Sequence, residues 1–148
     1  NYKMKRLIFL YHILLSLFSI DQILTNVSSA PNNCAVTTAI TNNAPVADAG
    51  IDYTIPNGTA FILKGNATDS DGSDILTYCW EQIDDGLVTQ SSFGPENISG
   101  ALFRSQKPST SPKRYFPKLS RVVEGNLTQS NPDINTAWET VSNVEREL

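Results

Sequence analysis

Hydrophobic positions are distributed unevenly along the chain. Apolar residues run almost unbroken from Leu7 to Ile20, whereas beyond Pro31 they fall into short alternating pieces separated by turn residues. The first run is preceded by Lys3, Lys5 and Arg6 and followed by Val27-Ser28-Ser29-Ala30. A basic start, an apolar middle and a small-residue end form the layout of a secretory signal peptide. The run is too short to serve comfortably as a permanent membrane anchor. A second pattern overlaps its end. Ser19 with Gln22 three residues later forms a capping box, and Ile20, Ile23, Leu24 and Val27 follow at i, i+3, i+4 and i+7, one apolar stripe of a helix over 19–28. A signal-peptide tail has no need of such a stripe. Residues 1–30 therefore read as a signal-like leader, as the terminal helix of a preceding domain, or as both.

Residues 31–43 carry Pro31, four Asn, three Thr and little bulk, which predicts a linker. From Ala44 onward the period is that of strands. Ala44 to Gly50 reads as an edge strand, since it tolerates Pro45, and Tyr53 to Pro56 as a second short piece ending in the turn Pro56-Asn57-Gly58. Thr59 to Ala67 alternates, with Phe61 and Leu63 on one face and Ile62 and Lys64 on the other. Ile75 to Ile83 is the strongest predicted strand, with Tyr78, Trp80 and Gln82 on one face. Asp84-Asp85-Gly86 predicts a hairpin into Leu87–Gln90, and Gly100–Arg104, Arg114–Pro117 and Trp138–Val141 predict further short strands. Residues 105–121 otherwise read as irregular and 124–136 as a polar loop. Short strands at regular spacing, joined by turns, predict a mostly β fold: an Ig-like antiparallel β-sandwich over 44–148, with Tyr78 and Trp80 in its core.

The chain has 148 residues and a net charge of −4. Setting aside residues 1–30 removes Lys3, Lys5, Arg6 and Asp21, which leaves 8 of 11 basic and 14 of 15 acidic residues, a net charge of −6. A mildly acidic module does not favour nucleic acid, whose phosphates repel it. The two cysteines, Cys34 and Cys79, can form one disulfide in an oxidising compartment, which would stabilise the fold by about 4 kcal/mol through the loop it closes. The alternative is two unpaired thiols, one of them buried beside Trp80.

Chemistry-bearing residues are few. Asp69, Asp71 and Asp74 share one loop with Gly72 between them, an arrangement that can gather oxygen ligands around a structural Ca²⁺ or simply form a solvated Asx turn. Arg104, Lys107, Lys113, Arg114, Lys118 and Arg121 form a basic stretch free of acids, either a contact face for acidic polysaccharide or a companion domain, or a solvated loop. Trp138 has weaker strand context than Trp80 and is the aromatic side chain expected to be exposed if either is. Asn26, Asn57, Asn66, Asn97 and Asn126 open Asn-x-Ser/Thr triplets, which are glycan acceptors in a eukaryotic secretory pathway and chance occurrences in a chain this rich in Asn, Ser and Thr. His12 is the single histidine and lies in the leader, so no Ser-His-Asp triad can be assembled from the remainder.

Three segments together resemble the PKD/Ig-like repeat of bacterial surface proteins: Asn43 to Gly50, Leu63 to Gly72, and Leu76 to Gln82. A narrower likeness joins Thr77 to Asp84 with Phe103-Arg104-Ser105 and Pro108 to Pro117. These resemble the Ig-like module that follows the catalytic domain in secreted bacterial reprolysin-like zinc metallopeptidases. Ser19 to Ile23 is similar to the helix that ends such a catalytic domain, and Asn33-Cys34 to the linker after it. The likeness covers roughly residues 19–148 and implies a piece of a longer secreted protein, its sandwich continuing past Leu148. Zinc would be held only in a catalytic domain absent from this chain, because the His-Glu-x-x-His pattern and its third histidine are missing here. The expected role is a non-catalytic spacer, stabilising or substrate-presenting domain, with the companion catalytic domain or an extracellular protein or polysaccharide as partner. The alternative is a free-standing exported adhesion or glycan-binding domain.

Overall fold

The computed structural model describes residues 2–3, 17–29 and 38–147. Among them the chain is β-rich, with three two-stranded antiparallel sheets and two helices. The elements in order are β1 (Tyr2–Lys3), α1 (Leu17–Ser28), β2 (Val46–Asp48), β3 (Thr54–Ile55), β4 (Phe61–Lys64), β5 (Asn66–Thr68), β6 (Lys113–Phe116) and α2 (Leu119–Val123). β1 pairs with β3, β2 with β5, and β4 with β6.

The predicted strand over Thr59–Ala67 divides at Gly65, and its two halves join different sheets. β4 lies against β6 in the register Phe61–Phe116, Ile62–Tyr115, Leu63–Arg114 and Lys64–Lys113. β5 turns away to pair with β2, and the Gly65 amide between them bonds the Pro112 carbonyl at 3.1 Å. The alternation read from the sequence persists through the change: Leu63 is buried while Lys64 and Asn66 are exposed.

The core is small and aromatic. Leu63, Trp80, Leu102, Phe103 and Phe116 form one buried cluster, with Phe61 and Ala49 packed against it. Phe61 stacks on Phe116 with ring centroids 4.8 Å apart and planes at 10°, while Phe103 meets both rings edge-on at 5.7 and 5.1 Å. Offset stacked and edge-to-face pairs suit the ring quadrupole and add about 0.5–1.5 kcal/mol each beyond area burial. Trp80 is 4% exposed, as expected of a core residue, and its indole N–H donates to the Pro112 carbonyl at 3.0 Å. Tyr78, expected beside it, is half-buried.

Several sequence expectations are corrected. The stretch Ile75–Ile83 is extended but forms no ladder: its single bridge joins Tyr78 to Ser109 through two backbone bonds of 2.7 and 3.0 Å. The reason is that side chains occupy the places a neighbouring strand would take. The Trp80 carbonyl accepts from Arg114 Nη1, and the Gln82 side-chain oxygen accepts from the amides of Leu102 and Phe103 at 2.8 and 3.1 Å. No hairpin forms at Asp84–Gly86 either. The Asp85 carbonyl accepts from Gly100, Leu87 is 91% exposed, and residues 90–92 turn. Phe103 and Glu139 contribute one isolated bridge where two short strands were expected. The helix α2 falls in a stretch read as irregular. Trp138, whose strand context was the weaker, is 7% exposed and packed on Phe93 with centroids 5.5 Å apart, which makes it a core residue as well.

The helix predicted over 19–28 is present as α1, but it starts before Ser19, which therefore sits inside the helix and does not cap it. Its stripe stays half exposed: Ile23, Leu24 and Val27 are 48%, 58% and 50% exposed. The greater part of the signal-like run, His12, Ala30 at the end of the leader, Cys34 and the rest of residues 31–37 of the predicted linker lie outside the described residues. Among the described residues no helix is long and apolar enough to cross a membrane.

Candidate functional site

Two buried charges organise the region where the basic stretch meets the core. Arg114 and Phe116 occupy alternate positions of β6, so both point inward, while Lys113 and Tyr115 point outward. The Arg114 guanidinium, 7% exposed, donates from Nη1 to the Trp80 carbonyl, and from Nη2 to the Arg104 carbonyl at 2.7 Å and to Glu139 Oε1 at 3.1 Å. Its plane also lies 4.5 Å from the Phe116 ring. Glu139 is fully buried, and its carboxylate is further held by Gln106 Nε2 at 2.5 Å and by the Lys118 amide at 2.8 Å. One ion pair thus ties together five separate stretches of chain around residues 80, 104–106, 114, 118 and 139. Burial pulls the Arg114 guanidinium down from its ordinary value, and Glu139 opposes that pull. Desolvating two charges is costly, and the cost is recovered here through hydrogen bonds to every part of the pair except Arg114 Nε.

Above this pair opens a groove of about 210 Å³. Tyr78, Cys79 and Trp80 line one side, Lys113, Arg114 and Tyr115 of β6 the other, and Lys107 and Lys118 its ends, together with Gln106, Ser109, Ser111 and Leu119. Of the basic stretch singled out in the sequence, the structure brings Lys107, Lys113, Arg114 and Lys118 together on this groove. Arg104 instead lies 4.4 Å from the Trp138 ring, and Arg121 Nη2 bonds the Thr128 carbonyl at 3.0 Å. The reading of the stretch as a uniformly solvated loop is therefore corrected at Arg114, which the strand period turns inward.

Cys79 is a free thiol on this groove. Its Sγ lies 3.4 Å from the Gln106 carbonyl and 3.9 Å from Glu81 Oε1. Burial pushes the thiol pKa up and the neighbouring Glu81 carboxylate pushes it further, outweighing Arg114. Because the folded state holds the thiol proton more tightly than the unfolded chain, the associated stability is full at neutral pH and is lost as pH rises through the raised pKa. Alkylation of Cys79 by iodoacetamide at pH 8 is expected to be slower in the native chain than in urea, read by mass spectrometry of its tryptic peptide. Equal rates would contradict the burial of this thiol.

The acidic loop is engaged in local bonding. Asp71 accepts from the Asn43 amide at 2.5 Å and from Asn43 Nδ2 at 3.0 Å, while Asp69 accepts from the Asp71 amide at 2.9 Å in an Asx turn. Asp69, Asp71 and Asp74 do not come together as a metal-ligating group, and the described residues contain no such group of three or more His, Cys, Asp or Glu.

Glu139 and Arg146 are the structural charges that sequence reading passed over. Arg146 is 7% exposed, donates to the Asn97 and Gly100 carbonyls at 3.0 and 2.6 Å, and pairs with Asp84 at 3.3 Å. It ties Asp84, at the start of the expected hairpin turn, to Asn97 and Gly100 further along the chain. In comparisons with known proteins, no family model, curated protein or solved structure matches this chain.

Proposed function

We propose that this chain is a non-catalytic accessory module of an exported zinc metallopeptidase, built as an Ig/PKD-like antiparallel β-sandwich, with hydrolysis belonging to a companion domain. The observation that carries the reading concerns the most specific part of the sequence likeness, Thr77 to Asp84 with Phe103–Ser105 and Pro108–Pro117. Those residues supply Trp80, Phe103, Arg114 and Phe116, the side chains around which the interior is organised. Side chains given over to packing support a scaffold role for that segment. The antiparallel pairings β2–β5 and β4–β6, with the chain changing partner at Gly65, support two packed layers.

Sequencing the transcript across the codons for residues 1–19 tests the association. The proposal expects an uninterrupted reading frame upstream of Ser19 that encodes His-Glu-x-x-His. Initiation at Met4 with no such frame overturns it and favours a free-standing exported domain.

A further inference from the structure

We propose that the groove between Tyr78–Trp80 and β6 is a binding site for a carboxylate-bearing sugar, the uronate unit of an acidic polysaccharide. Two observations point to it independently of which larger protein the module serves. First, the chain is acidic overall, yet Lys107, Lys113 and Lys118 converge on one groove, and among the described residues no acidic side chain lines it. Glu139 lies beneath, its carboxylate taken up by Arg114, Gln106 and the Lys118 amide, and Glu81 Oε1 lies 3.9 Å from Cys79 Sγ, so one neighbouring carboxylate stands against three lysine charges.

Second, Lys113 stands directly across the β4–β6 ladder from Lys64, and both are exposed. Like charges at directly opposed positions destabilise an antiparallel pair. An anion seated beside Lys113 relieves that repulsion, so the arrangement gains stability when occupied.

The groove's size and lining choose among anions. About 210 Å³ accommodates one pyranose ring and is too small for a folded partner's side-chain cluster. Tyr115 lines the groove and is 40% exposed, an aromatic side chain against which a sugar can stack, and Ser109, Ser111 and Gln106 bring hydroxyl and amide side chains for its hydroxyls. Lysines act as point charges for the carboxylate.

Isothermal titration of the full chain with trigalacturonate, with its neutral counterpart trigalactose and with inorganic sulfate tests the site. The proposal expects trigalacturonate to bind at least about tenfold more tightly than either of the others, with affinity falling as salt rises. In the double variant Lys113→Glu/Lys118→Glu that affinity is expected to fall about tenfold or more. Lys113→Glu places an acid opposite Lys64, so the single variant should unfold at an equal or higher urea concentration than the parent, which separates lost binding from lost folding. Equal affinity for the neutral sugar, equal affinity for sulfate, or unchanged binding in the double variant overturns the proposal.

Discussion

Replacing Glu139 with alanine is expected to destabilise the protein by about 3–5 kcal/mol, the range for removing one partner of a buried pair. The substitution strands the buried Arg114 guanidinium, frees the Gln106 amide and the Lys118 backbone N–H, and opens a void beside a fully buried position. The reciprocal change, Arg114→Ala, should cost a similar amount, because it leaves a carboxylate at 0% exposure without its counter-charge and removes the guanidinium bonds to the carbonyls of Trp80 and Arg104. The pair itself need not contribute net stability. Arg114→Met combined with Glu139→Leu is expected to recover a substantial part of the loss, since an apolar pair of similar volume avoids the desolvation penalty. Urea unfolding of the four proteins at a common m-value gives the three stability changes directly. A cost below about 1 kcal/mol for Glu139→Ala would mean that water reaches the carboxylate and that the clasp is not closed.

The second large effect is expected at Trp80. Truncation to alanine removes the largest side chain of the core cluster, breaks the indole bond to Pro112, and opens the floor of the groove, at a cost of about 3–5 kcal/mol. Leu87→Ala is the matched control. At 91% exposure its loss should lie within about 0.5 kcal/mol of the parent. A urea midpoint that moves for Leu87→Ala as much as for Trp80→Ala would contradict the placement of both residues.

What the sequence disclosed and what it concealed follow from which interactions are periodic. Period-two alternation placed Phe61 and Leu63 on one side of a strand, while proline and turn residues bounded β2, β3 and β6 to within a few residues. The aromatic at position 80 was legible as core because a large apolar side chain between polar neighbours has few other places to go. Charges were harder. Arg114 sits in a run of basic residues, and a basic run ordinarily reads as solvated. Its inward position is fixed by Phe116 two residues later on the same strand face, a signal present in Arg114-Tyr115-Phe116 but outweighed by composition. Glu139 gave less warning still, since its partners are drawn from positions 106, 114 and 118, and contacts over that separation leave no local pattern. The long strand over Ile75–Ile83 failed for the converse reason. Its propensity is high, but the backbone groups of Trp80, Leu102 and Phe103 are taken by the side chains of Arg114 and Gln82, so no ladder is needed there. The apolar stripe of α1 shows that amphipathic spacing predicts a helix without supplying its partner.

Hydrogen exchange at the indole N–H of Trp80, followed by ¹H–¹⁵N NMR on the full chain, tests most directly whether this side chain closes an interior between β6 and the segment at Leu102–Phe103. The indole is buried and donates to the Pro112 carbonyl. Its resonance, assigned by its disappearance in Trp80→Ala, should persist in D₂O for a time set by global unfolding. Exchange at the rate of a free indole would show the ring open to water and contradict the core, the clasp beneath the groove and the functional reading built on them.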